Sequence, residues 1–390
     1  MDYGKVLARK VVDMKPSGIR KFFDLLSDKK DVISLTVGQP DFVTPWHIRD
    51  AAISSLEKGK TYYTSNAGTA ELREQICAYM ERRHGLCYHP QDETIVTVGG
   101  SEAIDLAVRA CVEPGDEVIV PTPSFVCYGP IVTLSGGTPV YAECKAENGF
   151  KLTAEQLRGM ITPRTKMLIL PFPNNPTGAI LEKNDLEEIA EVLRGTDIMV
   201  LSDEIYCELT YGKKHVSIAA IDGMRERTII ASGLSKAYAM TGWRIGYTLA
   251  PVEITKQMLK IHQYAIMCAP TVSQFAAAEA LKNGDDDIAS MVGEYDRRRK
   301  LIVNELHAMG LDCFEPQGAF YVFPDFRKFG MPDEELCERL LNEGGVAIVP
   351  GSAFGAGGEG FARISYAYSV KHILVAMERL GDFVKRLSVK

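Results

Sequence analysis

MLILPFPNNPTGAILEKNDLEEIAEVLRGTDIMVLSDEIY, residues 167–206, contains a strand, a loop, a helix and a second strand in succession. The runs 167–171 and 198–202 are apolar with little alternation, the pattern of strands covered on both faces. Between them, Asn184 and Glu187 have the spacing of a capping box and predict a helix start. Two strands joined through a helix run parallel in one sheet. The polar residues sit just past the strands: Asn174-Asn175-Pro176-Thr177-Gly178 follows the first and Asp203 follows the second.

The same unit repeats outward. TIVTV (94–98), EVIVP (117–121), TIIAS (228–232) and GYTLA (246–250) are further short apolar runs, with helical segments between them. Thr153 and Gln156 form a second candidate capping box, and Pro114-Gly115-Asp116 a turn before a strand. The expected fold is α/β: a mainly parallel sheet flanked by helices, in a large domain spanning 46–283. After Pro270 the pattern becomes a long helical stretch to about Met309. Short strands follow around 320–323, 346–349 and 363–366, with helices near 332–343 and 369–386. These predict a smaller α+β domain made of 284–390, with 1–45 as its N-terminal arm.

A chain of 390 residues is long enough for two such units without disulfides or structural metal. The formal net charge is −7, which argues against a nucleic-acid partner. The densest basic block, Arg297-Arg298-Arg299-Lys300, reads as a solvated helix face. Nine cysteines without a C-x-x-C pair suit a reducing compartment. His84 and His89 read as surface residues near a helix end, and no ligand set for a metal forms around them. The N-terminus lacks an apolar signal core, and no apolar run is long enough to span a bilayer. The expected location is the cytoplasm.

In an open parallel sheet, ligands bind beyond the carboxyl ends of the strands. Five groups fall there: Gly99-Gly100-Ser101-Glu102, Pro123-Ser124-Phe125, the 174–178 loop, Asp203, and Ser235-Lys236. Gly100 and Ser101 open a helix whose free N–H groups suit a phosphate, or else form a plain glycine turn with an N-cap. Asp203 wants a cationic partner, which a protonated ring nitrogen or a structural salt bridge would supply. Lys236 reads as a nucleophile and base, or as a surface lysine. Arg244 suits a phosphate or a surface ion pair. Phe125 is a stacking face or a core aromatic. Arg363 is a carboxylate clamp or an interdomain salt bridge. Gly355–Gly360 matches G-x-G-x-x-G, but an apolar strand-like run follows it where a dinucleotide site needs a helix.

Taken together, these groups resemble the signature of class I aminotransferases, among the fold-type I pyridoxal-phosphate enzymes. The resemblance runs through SLTVGQPDFVTP (34–45), YTSNAGTAELR (63–73), VGGSEA (98–103), PNNPTG (173–178) and SDEIY (202–206). It continues in SKAYAMTGWRIG (235–246), PQGAFYVF (316–323), VPGSAFG (349–355) and RISYA (363–367). It is closest to the bacterial and archaeal branch acting on aspartate, aromatic and related amino acids. The resemblance implies pyridoxal 5′-phosphate carried as a Schiff base on Lys236, with Asp203 on the ring nitrogen. Asn175 and Tyr206 would serve the phenolic oxygen. Gly100, Ser101, Glu102 and Arg244 would hold the phosphate, Ser235 would contact the cofactor, Phe125 would stack on the ring, and Tyr63 would reach the phosphate from a partner subunit. Gly38, Asn175 and Arg363 would take the substrate's α-carboxylate. Two positions depart from the pattern: Gly233 stands where many members have Ser, and Ser101 where some aspartate-preferring members have Lys. The implied activity is ping-pong transfer of an amino group from an L-amino acid to a 2-oxo acid such as 2-oxoglutarate, in a homodimer. The alternatives are a C–S β-lyase on the same scaffold and a non-catalytic cofactor-binding regulator.

Overall fold

The computed structural model describes residues 1, 3–16, 18 and 31–388. A short strand β1 (Ile33–Ser34) leads into helices α1 (Trp46–Glu57) and α2 (Ala70–His84). Next come β2 (Thr94–Thr97), α3 (Gly100–Cys111), β3 (Glu117–Thr122), α4 (Tyr128–Ser135), β4 (Thr138–Glu143) and α5 (Ala154–Met160). The chain continues through β5 (Thr165–Leu170), α6 (Lys183–Leu193), β6 (Met199–Asp203), β7 (Thr228–Gly233) and β8 (Gly246–Leu249). Helices α7 (Val252–Ala265), α8 (Thr271–Asn283) and α9 (Asp285–Ala308) precede β9 (Tyr321–Val322) and α10 (Asp333–Arg339). The last elements are β10 (Val346–Ala347), β11 (Val349–Pro350), β12 (Ala362–Ser365) and α11 (Val370–Ser388).

Strands β2 to β8 form one seven-stranded sheet in the order β2-β8-β7-β6-β5-β3-β4. Only β8 runs antiparallel to its neighbours. The apolar runs behave as expected of doubly covered strands: every residue of β2, β3, β7 and β8 except Gly233 is buried. Strand β4 was not among the expected strands. It is an edge strand in which only Ala142 is buried, so TPVYAE carries little apolar signal. Thr153 caps α5 by accepting from the Gln156 N–H at 3.2 Å, but the Gln156 side chain donates to the Glu143 carbonyl instead of completing a box. The other box is displaced: Glu182 caps α6 and Asp185 answers it, where Asn184 and Glu187 were expected.

Apolar side chains of α3, α4 and α7 cover one face of the sheet, with Leu106, Val132 and Met258 against Val118 and Ile169. On the other side, α1, α2 and α8 pack against β8 through Ile48, Ile76, Ala277 and Tyr247. Full burial of each such side chain contributes about 1.5–3 kcal/mol. A further core gathers α9, α11 and the antiparallel sheet β11-β12-β9 around Tyr295, Phe320, Ile364 and Phe383. Strand β1 pairs in parallel with β10, tying residues 33–34 to the C-terminal region.

Two surface expectations do not hold. Arg298 and Arg299 are buried, because α9 turns them inward to Asp41 and Glu294 and to Asp296 and Glu315. Arg297 and Lys300 alone of that block face solvent. His84 is largely covered, and its ring nitrogen Nε2 lies with Cys207 and Glu208 in a set of possible ligand atoms within 4.8 Å of one another. The Tyr79 hydroxyl serves this set: it donates to Glu208 and lies 3.4 Å from His84 Nε2, while Arg83 pairs with the same carboxylate. The 355–360 glycine run leads into β12 and opens no helix.

The direction of crossover reverses between β3 and β5: β4 adds on one side of β3, while β5, β6 and β7 add on the other. The registers Leu170↔Ser202 and Asp203↔Ala231 align the ends of β5, β6 and β7. The loops after these strands therefore open along one edge, at the place where such sheets bind ligands.

Candidate active site

A cavity of about 360 Å³ lies at this edge. Its floor includes Asp203, at the last position of β6. The carboxylate is buried; Oδ2 accepts from the Tyr128 hydroxyl at 2.7 Å and Oδ1 from the Ile205 N–H at 3.1 Å. Burial pushes its pKa above the usual carboxylate value, although the Tyr128 and Ile205 hydrogen bonds oppose the shift. Lys236 lines the same cavity, three residues past the end of β7, and its Nζ donates to the Gly38 carbonyl at 2.6 Å. Burial, helped by the Arg363 and Arg244 charges, lowers the amine to about 8.

One end of the cavity is the start of α3. Gly99 is the N-cap with φ 82°, so the N–H groups of Gly100 and Ser101 enter the first turn without helical acceptors. A Cβ on Gly99 would strike the Arg244 guanidinium, so the glycine lets that cation lie beside the helix end. Ser235 and Thr241 line this end as well. Gly233 packs against Gly246 and the Ile245 carbonyl, where an added Cβ would come within 3.0 Å of backbone. Phe125 borders the cavity with its ring set edge-to-face against Tyr128, at a centroid distance of 6.2 Å.

At the opposite end, Arg363 of β12 is buried with Nη1 donating to Asn175 Oδ1 at 2.9 Å. A further N–H reaches the Thr36 carbonyl, while Nε is buried without a partner. The guanidinium lies over the Tyr321 ring at 4.6 Å and the Phe354 ring at 4.9 Å. Burial lowers its pKa from the usual arginine value. The Tyr206 hydroxyl is 2.8 Å from that of Tyr321, and burial holds Tyr206 well above the usual phenol value.

Comparison with known proteins places this arrangement. The model of the family "Aminotransferase class I and II" matches residues 30–380. The Bacillus subtilis (strain 168) protein YugH is 52% identical, covering 96% of this chain and 97% of its own. The aspartate aminotransferase of Pyrococcus abyssi is 45% identical over 95% and 96% of the two chains. The structure of an aromatic aminotransferase from Pyrococcus horikoshii OT3 superposes with a TM-score of 0.90 at 43% identity, covering 95% of this chain and 100% of that one.

The chain belongs to the class I and II aminotransferases.

As a class I aminotransferase of the aspartate and aromatic branch, it is a transferase dependent on pyridoxal 5′-phosphate. The cavity suits that cofactor on its own terms. It is within the ordinary size of small-molecule sites, about 300–1,000 Å³. Phosphate-type donors lie at one end. A carboxylate raised by burial and an amine lowered toward neutrality line the same cavity.

Eleven of the thirteen expected site residues line this one cavity. Glu102 does not: its carboxylate turns away to the Val98 N–H and to His262 Nδ1 at 2.6 Å, leaving only its backbone N–H at the helix start. Tyr63 is 79% exposed and outside the cavity of its own chain. Tyr128, Tyr321, Thr241 and the Thr36 carbonyl were not anticipated. The place of Tyr128, three residues after Phe125 at the start of a helix, was a usable signal. Tyr321 meets the site through strand pairing between β9 and β12, which no local pattern announces.

Proposed function

We propose that the chain catalyses ping-pong transfer of an amino group from an L-amino acid, with aspartate and aromatic amino acids as candidate donors, to 2-oxoglutarate. The observation that carries this is the sharing of one cavity by the Lys236 amine, the Asp203 carboxylate and the Arg363 guanidinium. The bound cofactor supplies the electron sink for bond breaking at the substrate Cα. Lys236 would hold it covalently, and its freed amine would be the base that takes the Cα proton and returns it. Its amine, at about 8, is partly unprotonated near neutrality, as a general base needs.

Asp203 would pair with the ring nitrogen and keep it cationic; that pairing would relieve the burial cost that raises the carboxylate. Asn175 and Tyr206 would donate to the phenolic oxygen, and Phe125 would offer its face to the ring. Gly100, Ser101, Ser235, Arg244 and the Glu102 N–H hold the phosphate. Arg363, steadied by Asn175, takes the α-carboxylate beside Gly38 and sets the scissile bond. Gly284, between α8 and α9, supports dividing the chain into a cofactor-binding unit, 46–283, and a smaller unit, 1–45 with 284–390.

A homodimer completes the site in this reading. Trp46, Tyr63, Tyr264 and Met267 expose apolar surface, and the segment 62–66 is bonded to 267–271 through Tyr62–Thr271 and Asn66–Met267. Tyr63 then reaches the partner's phosphate site. All nine cysteines are free thiols, which supports a cytoplasmic setting; among the described residues no helix is long and apolar enough to cross a membrane.

The test is a panel of amino donors with 2-oxoglutarate, run on wild type and Lys236→Ala. Transfer by wild type and a loss of at least about 10⁴-fold in the variant are expected. Pyruvate and ammonia formed from a cysteine-type donor without any oxo acid would instead point to β-elimination. Unchanged turnover in Lys236→Ala would overturn the assignment.

A further inference from the structure

We propose that Tyr321 is a positioning residue that holds both Tyr206 and Arg363, so that one side chain of β9 couples the cofactor end of the cavity to the carboxylate end. The proposal rests on the cofactor reading above. Tyr321 is 1% exposed, yet its side chain borders the cavity. Its hydroxyl has one side-chain partner, Tyr206, at 2.8 Å. Its ring carries the Arg363 guanidinium at 4.6 Å.

Three features show that the place is built for this side chain. Strand pairing sets Tyr321 opposite Ser365, hence diagonal to Arg363 on one face of the β9–β12 ladder. The aromatic rings of Tyr206, Phe320 and Tyr321 interlock, with centroids 4.9–6.0 Å apart, which fixes the ring plane. Gly38 lacks the Cβ that would collide with the Tyr321 hydroxyl, and the carbonyl of the same glycine accepts from Lys236. Tyr321 therefore sets where Gly38, Arg363 and Tyr206 stand relative to one another.

The chemistry follows from the direction of the hydrogen bonds. When Tyr206 donates to the cofactor's phenolic oxygen, its own oxygen is left to accept from Tyr321. A donor chained in this way is a stronger donor. It stabilises negative charge on the phenolic oxygen and so lowers the pH at which the neighbouring cofactor–lysine nitrogen loses its proton. The stacking contact has a separate effect. It holds the Arg363 plane for the substrate carboxylate.

The experiment is a pH titration of the visible absorbance of the holoenzyme, in wild type, Tyr321→Phe, Tyr206→Phe and the double variant. The groups facing the pair are Arg363, Lys236, Asp203, Tyr128, Tyr295 and Tyr368. All are common to the four proteins, so differences report the hydroxyls. Tyr321→Phe should raise the midpoint by a few tenths to about one pH unit, and should add nothing in the Tyr206→Phe background. KM for the amino donor should stay within about two-fold in Tyr321→Phe but rise about ten-fold or more in Tyr321→Leu, which removes the face under Arg363.

An unmoved midpoint in folded Tyr321→Phe, or a shift that adds in full to that of Tyr206→Phe, overturns the proposal; so does a variant that loses only thermal stability. If Tyr321→Phe does not fold, 3-fluorotyrosine at position 321 keeps the shape and donates more strongly. The midpoint should then fall, and a midpoint that does not fall refutes the coupling. Absence of any visible titration in wild type with the cofactor would instead remove the cofactor reading itself.

Discussion

Asp203 and Lys236 pose opposite problems for a buried charge. Burial raises the carboxylate and lowers the amine, and each then lacks a full counter-charge until a ligand arrives. A carboxylate with a raised native pKa binds more protons folded than unfolded, so it costs stability increasingly as pH rises above the ordinary value of 3.8. Asp203→Asn should therefore raise the melting temperature of the cofactor-free protein at neutral pH, while lowering kcat by about 10²-fold or more. Calorimetry beside steady-state kinetics checks both; a lower melting temperature would contradict the burial argument. For Lys236 the sign is reversed: the amine gains nucleophilicity as pH climbs through about 8. The rate at which cofactor-free protein develops visible absorbance with pyridoxal 5′-phosphate should increase up to that pH and then level off. Arg363→Lys should raise KM for the amino donor about ten-fold or more, since a lysine loses the planar fork that binds a carboxylate through two bonds.

Among the elements that build the site, β8 passes close to the turn between β2 and α3. A Cβ on Gly246 would come within 2.7 Å of the Gly99 carbonyl carbon, 2.8 Å of the Ser232 carbonyl oxygen and 2.9 Å of the Gly100 nitrogen, all backbone atoms that cannot swing aside. The same addition at Gly100 meets nothing nearer than 3.6 Å. Gly246→Ala should thus cost about 1–3 kcal/mol by overpacking and displace the N-terminus of α3. Gly100→Ala should be far milder. Comparing the two by melting temperature and by affinity for inorganic phosphate separates backbone crowding from ordinary substitution. The strands were legible because a doubly covered strand is nearly continuous apolar sequence, as in 117–121 and 228–232. Strand β4 was not, because an edge strand faces water on most of its side chains and owes its existence to pairing with β3. The N-cap of α6 was misplaced because several acidic and amide residues compete there, and only the path of the chain chooses between them.

At the scale of the molecule, the apolar surface around Tyr63 and Tyr264 remains without a cover in a single chain. Sedimentation should find a dimer. Trp46→Glu with Tyr264→Glu should shift it toward monomer and, if Tyr63 serves the other chain's phosphate site as proposed, reduce cofactor affinity. A dimer-free protein with unaltered cofactor affinity would rule out the shared site.

The order and type of the site groups were set by the sequence alone: any one glycine or polar group after a buried strand could be turn chemistry, but five of them at one parallel-sheet edge point to ligand binding. Glu102 shows the limit of that logic, since which way a side chain turns at a helix start depends on partners such as His262, 160 positions away. Tyr321 and the Thr36 carbonyl came into view only with the tertiary structure. Their roles arise from strand pairing and crossing loops, and contacts between residues from about 40 to more than 300 positions apart leave no periodicity in the chain to read.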